Sequence, residues 1–144
     1  MSHKKRGHYS EKHPPGKKPD PRIEEAVKKK AKQGELPCAV AHSIAKDLGV
    51  PPEEVGFAMD MLGISITKCQ LGLFGYRPER KILKPAKDVS EDLRKEIENS
   101  VEEGRIPCKK IWQIAERLGI GKMEVASACE ALGIKISRCQ LGAF

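Results

Sequence analysis

The chain repeats itself. Shifted by 70 residues, it lies on its own sequence without a gap, and 19 of the 54 pairs from 21/91 to 74/144 are identical. Gly34-Glu35-Leu36-Pro37-Cys38 falls on Gly104-Arg105-Ile106-Pro107-Cys108, and Ile44-Ala45 on Ile114-Ala115. Leu48-Gly49 falls on Leu118-Gly119, and Leu62-Gly63-Ile64 on Leu132-Gly133-Ile134. The longest identical block is Cys69-Gln70-Leu71-Gly72, which meets Cys139-Gln140-Leu141-Gly142, with Phe74 on Phe144. Identity clustered in this way means one small unit made twice, so any fold assigned to one copy has to suit the other.

Hydrophobic spacing makes that unit mainly helical. Ile23, Val27 and Ala31, like Leu93, Ile97 and Val101, follow one helix face at i, i+4, i+8. Gly34 and Gly104 are placed to end this first helix in a left-handed residue. Pro37 and Pro107 are then placed to open the second helix, where a missing N–H costs nothing. The second helix carries Ala41, Ile44, Ala45 and Leu48, matched by Ile111, Ile114, Ala115 and Leu118, and it ends at Gly49 and Gly119. A third helix carries Val55, Ala58, Met59 and Leu62, matched by Val125, Ala128, Cys129 and Leu132. Beyond it, Ile64-Ser65-Ile66-Thr67 and Ile134-Lys135-Ile136-Ser137 alternate as strands do.

The run Ile44-Ala45, Leu48-Gly49-Val50, Val55, Leu62-Gly63-Ile64, with its counterpart from Ile114 to Ile134, resembles the helix-turn-helix superfamily of winged-helix type. The resemblance implies a mainly α protein: two tandem three-helix modules, each followed by a short β-strand, with pseudo-two-fold symmetry in one chain. It covers about 40 residues of each copy and is more specific for fold than for function. Each copy has sequence for one wing strand, not two. Either the wing is degenerate or residues 64–71 pair with 134–141, and the pairing is the expectation because a lone strand leaves backbone groups unsatisfied. The expected organisation is a basic, disordered tail over 1–20, repeat one over 21–74, a basic linker over 75–90 and repeat two over 91–144.

The net charge of +7 is concentrated outside the repeats. Residues 1–20 carry six Lys/Arg against two Asp/Glu, and residues 77–90 carry five against two. Residues 21–76 carry seven of each sign and residues 91–144 nine of each. Excess positive charge points to a polyanionic partner, and DNA is the one the resemblance implies. In that fold the third helix enters the major groove. Its reading positions, however, are Pro52, Glu53, Glu54, Phe57 and Asp60 in copy one, and Lys122, Met123, Glu124, Ser127 and Glu130 in copy two. An acidic face repels phosphate, so both third helices have a competing reading as packing elements. The candidate nucleic-acid contacts are therefore Lys109, Lys110, Lys122, Ser127, Lys135 and Arg138, with Arg80 and Lys81 of the linker. Basic segments of this kind add affinity but little sequence choice.

Cys38, Cys69, Cys108 and Cys139 occupy equivalent places, whereas Cys129 lies where copy one has Met59. The four paired cysteines are a candidate ligand set for one Zn²⁺ ion or an iron–sulfur cluster, or form a redox pair in each copy. Against both stands a packing role, which the absence of any C-x-x-C pair favours; no cofactor is expected on that reading. The Cys-Gln-Leu-Gly block is expected to serve structure, with Gly72 in a tight turn and Phe74 and Phe144 capping a core. His42 and Trp112, aligned one position off the core stripe, suit a contact between repeats or subunits. His3, His8 and His13 recur every five residues, which does not align them on a helix face.

No phosphate loop, nucleotide fingerprint or catalytic constellation is present, so an enzyme is not expected. Nor does any apolar run reach the roughly 20 residues of a membrane span, and Met1 to Lys18 shows no secretory signal. The expectation is a cytoplasmic, monomeric or weakly dimeric, transcription-associated nucleic-acid-binding regulator. The alternative is a non-catalytic protein-interaction module that keeps the fold without DNA readout, with a thiol or metal sensor compatible with either.

Overall fold

The structure, a computed structural model, describes residues 16–144. Most of the basic tail, with His3, His8 and His13, lies outside the described residues. Six helices and four three-residue strands form the described part, in the order α1 (Pro21–Lys30), β1 (Glu35–Pro37), α2 (Cys38–Leu48), α3 (Pro52–Leu62), β2 (Ser65–Thr67), α4 (Glu91–Ser100), β3 (Arg105–Pro107), α5 (Cys108–Leu118), α6 (Lys122–Ala131) and β4 (Lys135–Ser137). The chain forms two compact units. The first runs to Cys69 and takes in Gln140–Ala143; the second is Gln70–Cys139 with Phe144.

In the first unit, Asp20 caps α1: its carboxylate accepts the Arg22 N–H at 2.8 Å, and Pro21 takes the first helical position. Ile23 and Val27 are buried and Lys28, Lys29 and Lys30 face solvent, as the helical spacing requires. The helix does not run on to Gly34. It ends at Ala31, which is extended, and the chain turns back in a two-residue hairpin. Lys32 and Glu35 exchange both backbone hydrogen bonds, at 2.9 and 3.0 Å. Gln33 (φ 53°) and Gly34 (φ 74°) are both left-handed, the signature of the hairpin turn that matches strand twist. Gly34 therefore serves the turn, not a helix cap.

That hairpin launches β1. Leu36 is fully buried, and Pro37 is the last strand residue and the N-cap of α2, one place earlier than the sequence pattern suggested. The partner of β1 is β2, in parallel: Glu35 lies opposite Ser65, Leu36 opposite Ile66 and Pro37 opposite Thr67. Parallel neighbours require a crossover of a dozen residues or more, and α2 with α3 provides it. This overturns the expected pairing of 64–71 with 134–141, since each copy pairs its strand with a segment of its own. The strands also stop at Thr67 and Ser137, where Lys68 and Arg138 turn left-handed at φ 49° and 48°.

Within this unit α3 is the central helix. Six consecutive residues, Val55 to Asp60, are buried, which happens only to a helix covered on all sides. Gly56 lies against Leu141, so closely that a methyl group there would fall on the Leu141 carbonyl. Lys17 places its ammonium over the Phe57 ring, 4.2 Å from the centroid, and 4.0 Å from Glu54.

The second unit repeats the plan. Ser90 Oγ accepts the Leu93 N–H at 3.2 Å and caps α4. Glu102 to Arg105 forms the same hairpin, with Glu103 and Gly104 left-handed. Strands β3 and β4 pair in parallel, with Arg105 opposite Lys135, Ile106 opposite Ile136 and Pro107 opposite Ser137. Arg117 reaches Glu96 through both arms of its guanidinium at 3.2 Å, joining α5 to α4. The stretch after Gln70 packs onto this unit. The Gly72 carbonyl accepts the N–H groups of Ile82 and Leu83 at 2.9 and 3.0 Å, and the Ser127 carbonyl accepts that of Ala86 at 3.0 Å. Leu71 and Leu83 are buried. Phe74 and Phe144 meet edge to face, 6.2 Å between centroids. The Gln-Leu-Gly of each copy thus belongs to the unit built from the other copy's helices. No helix among the described residues is long and apolar enough to cross a membrane.

Candidate nucleic-acid interface

The β3–β4 ribbon concentrates positive charge. Arg105 and Lys135 are exposed and directly opposite one another. Like charges in that relation destabilise a sheet, so the pair has no structural reason to exist. Lys109, exposed in the first turn of α5, stands two residues beyond Pro107; Arg138, also exposed, stands one beyond Ser137. A three-residue strand spans only about 7–10 Å, so all four cations sit on or just beyond one short ribbon. The first turn of α5 adds partial positive charge from its backbone N–H groups. Pro107, its N-cap, makes no side-chain hydrogen bond to them. Ile106, fully buried between Arg105 and Pro107, fixes the ribbon on the core.

Several other basic residues of this unit are engaged. Lys110 pairs with Glu102 at 3.1 Å. Lys122 lies over the Trp112 ring, 4.4 Å from its centroid, and Trp112 is thereby a packing partner within its own unit. Lys81 pairs with Glu130 at 3.2 Å. Arg80 is exposed on the segment that follows the Phe74 ring, and its carbonyl faces the Tyr76 N–H at 3.4 Å. Ser127 is half-buried beneath the Ala86 amide. Of the residues selected from sequence, Lys135 lies on the β3–β4 ribbon and Lys109 and Arg138 lie just beyond its other end, with Lys110 next to Lys109 and paired with Glu102; Lys122, Ser127, Arg80 and Lys81 lie elsewhere.

Arg105 escaped the sequence reading. Its neighbours Ile106 and Pro107 disguised a three-residue strand as a loop. One signal was present: the repeat places Arg105 on Glu35, a reversal of charge inside an otherwise matched block.

Some of the reading positions of the third helices are engaged by the chain itself, while Glu53 and Glu124 are exposed. In α3, Phe57 and Asp60 are buried and Glu54 is near Lys17. In α6, Glu130 is paired with Lys81, and the Met123 methyl lies about where a side chain at Gly72 would reach.

Cys38, Cys69, Cys108 and Cys129 are buried and Cys139 is half-buried. Among the described residues no group of three or more His, Cys, Asp or Glu is arranged to hold a metal ion. Burial pushes the Cys129 thiol up to about 11, which keeps it neutral and unreactive. Comparison with family models, curated proteins and solved structures gives no match.

Proposed function

We propose that this protein binds nucleic acid, as a transcription-associated regulator of duplicated helix-turn-helix type, and that the second unit's ribbon makes the phosphate contacts. The observation that carries the reading is the opposed pair Arg105 and Lys135, flanked by Lys109 and Arg138. A polyanion in front of the ribbon turns the repulsion between them into attraction. The helix-turn-helix reading is supported by the α2–Gly49–α3 and α5–Gly119–α6 successions, in which left-handed glycine ends the first helix of each pair. With the centre of α3 buried and the exposed reading positions of both third helices acidic, recognition rests on backbone and shape instead of base edges, so affinity varies little with sequence.

The test is binding to mixed-sequence duplex DNA across a salt series, comparing wild type with the double variant Arg105→Glu/Lys135→Ser, which installs the residues of copy one. Two lost phosphate contacts reduce the slope of log K against log[salt] by about 2. An unchanged slope removes the ribbon from the interface. Absence of binding by wild type at low salt to duplex, single-stranded DNA and RNA sinks the proposal. It would leave the non-catalytic protein-interaction reading, which the burial of α3 favours.

A further inference from the structure

The parallel pairing has a second consequence, independent of nucleic acid. Cys38 and Cys69 are 31 residues apart in sequence, yet the register brings them to one end of one ribbon. Cys38 directly follows Pro37, Cys69 stands two beyond Thr67, and Pro37 and Thr67 are opposed. Lys68, left-handed at φ 49°, bends the chain between Thr67 and Cys69. Cys108 and Cys139 have the same relation to Pro107 and Ser137, with Arg138 at φ 48°. Neighbouring strands are about 4.8 Å apart at these last paired residues, from which the cysteines continue by one and two residues, and a disulfide spans a Cα separation of about 4.4–6.8 Å. All five cysteines stand as thiols.

We infer that each unit contains a dithiol pair, Cys38 with Cys69 and Cys108 with Cys139, that closes reversibly to a disulfide by exchange with a low-molecular-weight disulfide. The juxtaposition occurs twice, at the same place in the fold, while Cys129 is a fully buried residue within α6 that has no cysteine counterpart in copy one. In the second unit the reaction starts at Cys139, the one half-buried cysteine among five. Its deprotonated sulfur attacks one sulfur of the small disulfide, forming a mixed disulfide and releasing one small thiol, which takes up the proton. Cys108 then displaces the second small thiol by the same exchange. Two hydrogens and two electrons leave the pair, and the small disulfide is reduced to two thiols. Thiolate is the attacking form, and Arg138 and Lys109, adjacent in sequence to Cys139 and Cys108, bring positive charge to it. In the first unit both sulfurs are buried, so that pair closes more slowly.

The full-length protein is incubated with excess oxidised glutathione, quenched in acid, alkylated and examined by intact mass and peptide mapping. The expected result is loss of two hydrogens per unit, cross-linked peptides Cys108–Cys139 and then Cys38–Cys69, alkylated Cys129, and full reversal by a dithiol reductant. Cross-links between the copies, persistent glutathione adducts without closure, participation of Cys129, or no reaction would each overturn the inference. The Cys139→Ser variant separates the pairs. Closure of Cys38–Cys69 alone is expected; loss of that cross-link too in a variant with wild-type circular dichroism would show that the pairs are not local and also overturn it.

Discussion

The two ribbons share a backbone and differ in chemistry. In the first unit Glu35 faces Ser65, Ala39 stands at the start of α2, and Lys68 follows β2. In the second the same positions are Arg105, Lys135, Lys109 and Arg138. Hairpin, register and buried centre residue are the same in both. Duplication thus preserved what the core requires and released the exposed positions, where substitutions cost little in stability. The central helices diverged in the opposite sense. Gly56 admits the Leu141 backbone onto α3, whereas its counterpart is the fully buried Ala126.

The most disruptive way to probe this comparison is to empty the equivalent cores. Leu36→Ala and Ile106→Ala each remove a fully buried side chain and should cost about 2–5 kcal/mol, read by urea denaturation. Comparable losses are expected; a neutral effect at either site would break the equivalence of the ribbons. Next, Gly56→Ala places a methyl group on the Leu141 carbonyl. It should cost about 1–3 kcal/mol and lower the amide protection of residues 140–143. The reciprocal Ala126→Gly adds no clash and should cost only about 1 kcal/mol, through helix propensity.

Transferring charge sharpens the functional half. Glu35→Arg/Ser65→Lys in the first unit should raise the salt slope of DNA binding by about 1–2, provided the first ribbon is accessible to the same duplex. The smallest effect concerns the first helices. Asp20 caps α1, and the hydrogen bonds and charge of Arg22 hold its carboxyl below the ordinary value of 3.8. Because the folded value is the lower one, the cap's contribution is complete above that value and is lost as pH falls through the folded one. Ser90 does not titrate. Protection of the Arg22 amide should therefore fall in acid below about pH 3.8, while that of Leu93 stays constant. Equal behaviour would show that the Asp20 cap does not hold α1. Replacing Ser90 by Ala should instead cost about 1 kcal/mol at any pH.

Much of this was legible in the amino-acid order. The duplication, the six helices, their buried faces, and the left-handed glycines closing α2, α3 and α5 follow from a 3.6-residue period and its interruptions. Lys109, Lys135 and Arg138 were legible as cations of the second copy, where the first has Ala39, Ser65 and Lys68. The strand β1 was not, because three residues cannot display a period of two. Its partner was not either, because pairing across a crossover is decided by contacts between residues about 30 apart. For the same reason sequence alone left a pairing of Cys38 with Cys69 as one reading among several.

The sequence by itself determined that one unit is built twice, mainly from helices, with its surplus charge outside the two repeats. Only the tertiary structure decided that each β-strand pairs within its own copy, that each Gln-Leu-Gly belongs with the other copy's helices, and that Arg105 and Lys135 stand opposed while Lys81, Lys110 and Arg117 meet carboxylates and Lys122 meets Trp112. Helical burial is written along one dimension, in the spacing of neighbours. Strand pairing and charge clustering depend on which distant segments the core brings side by side.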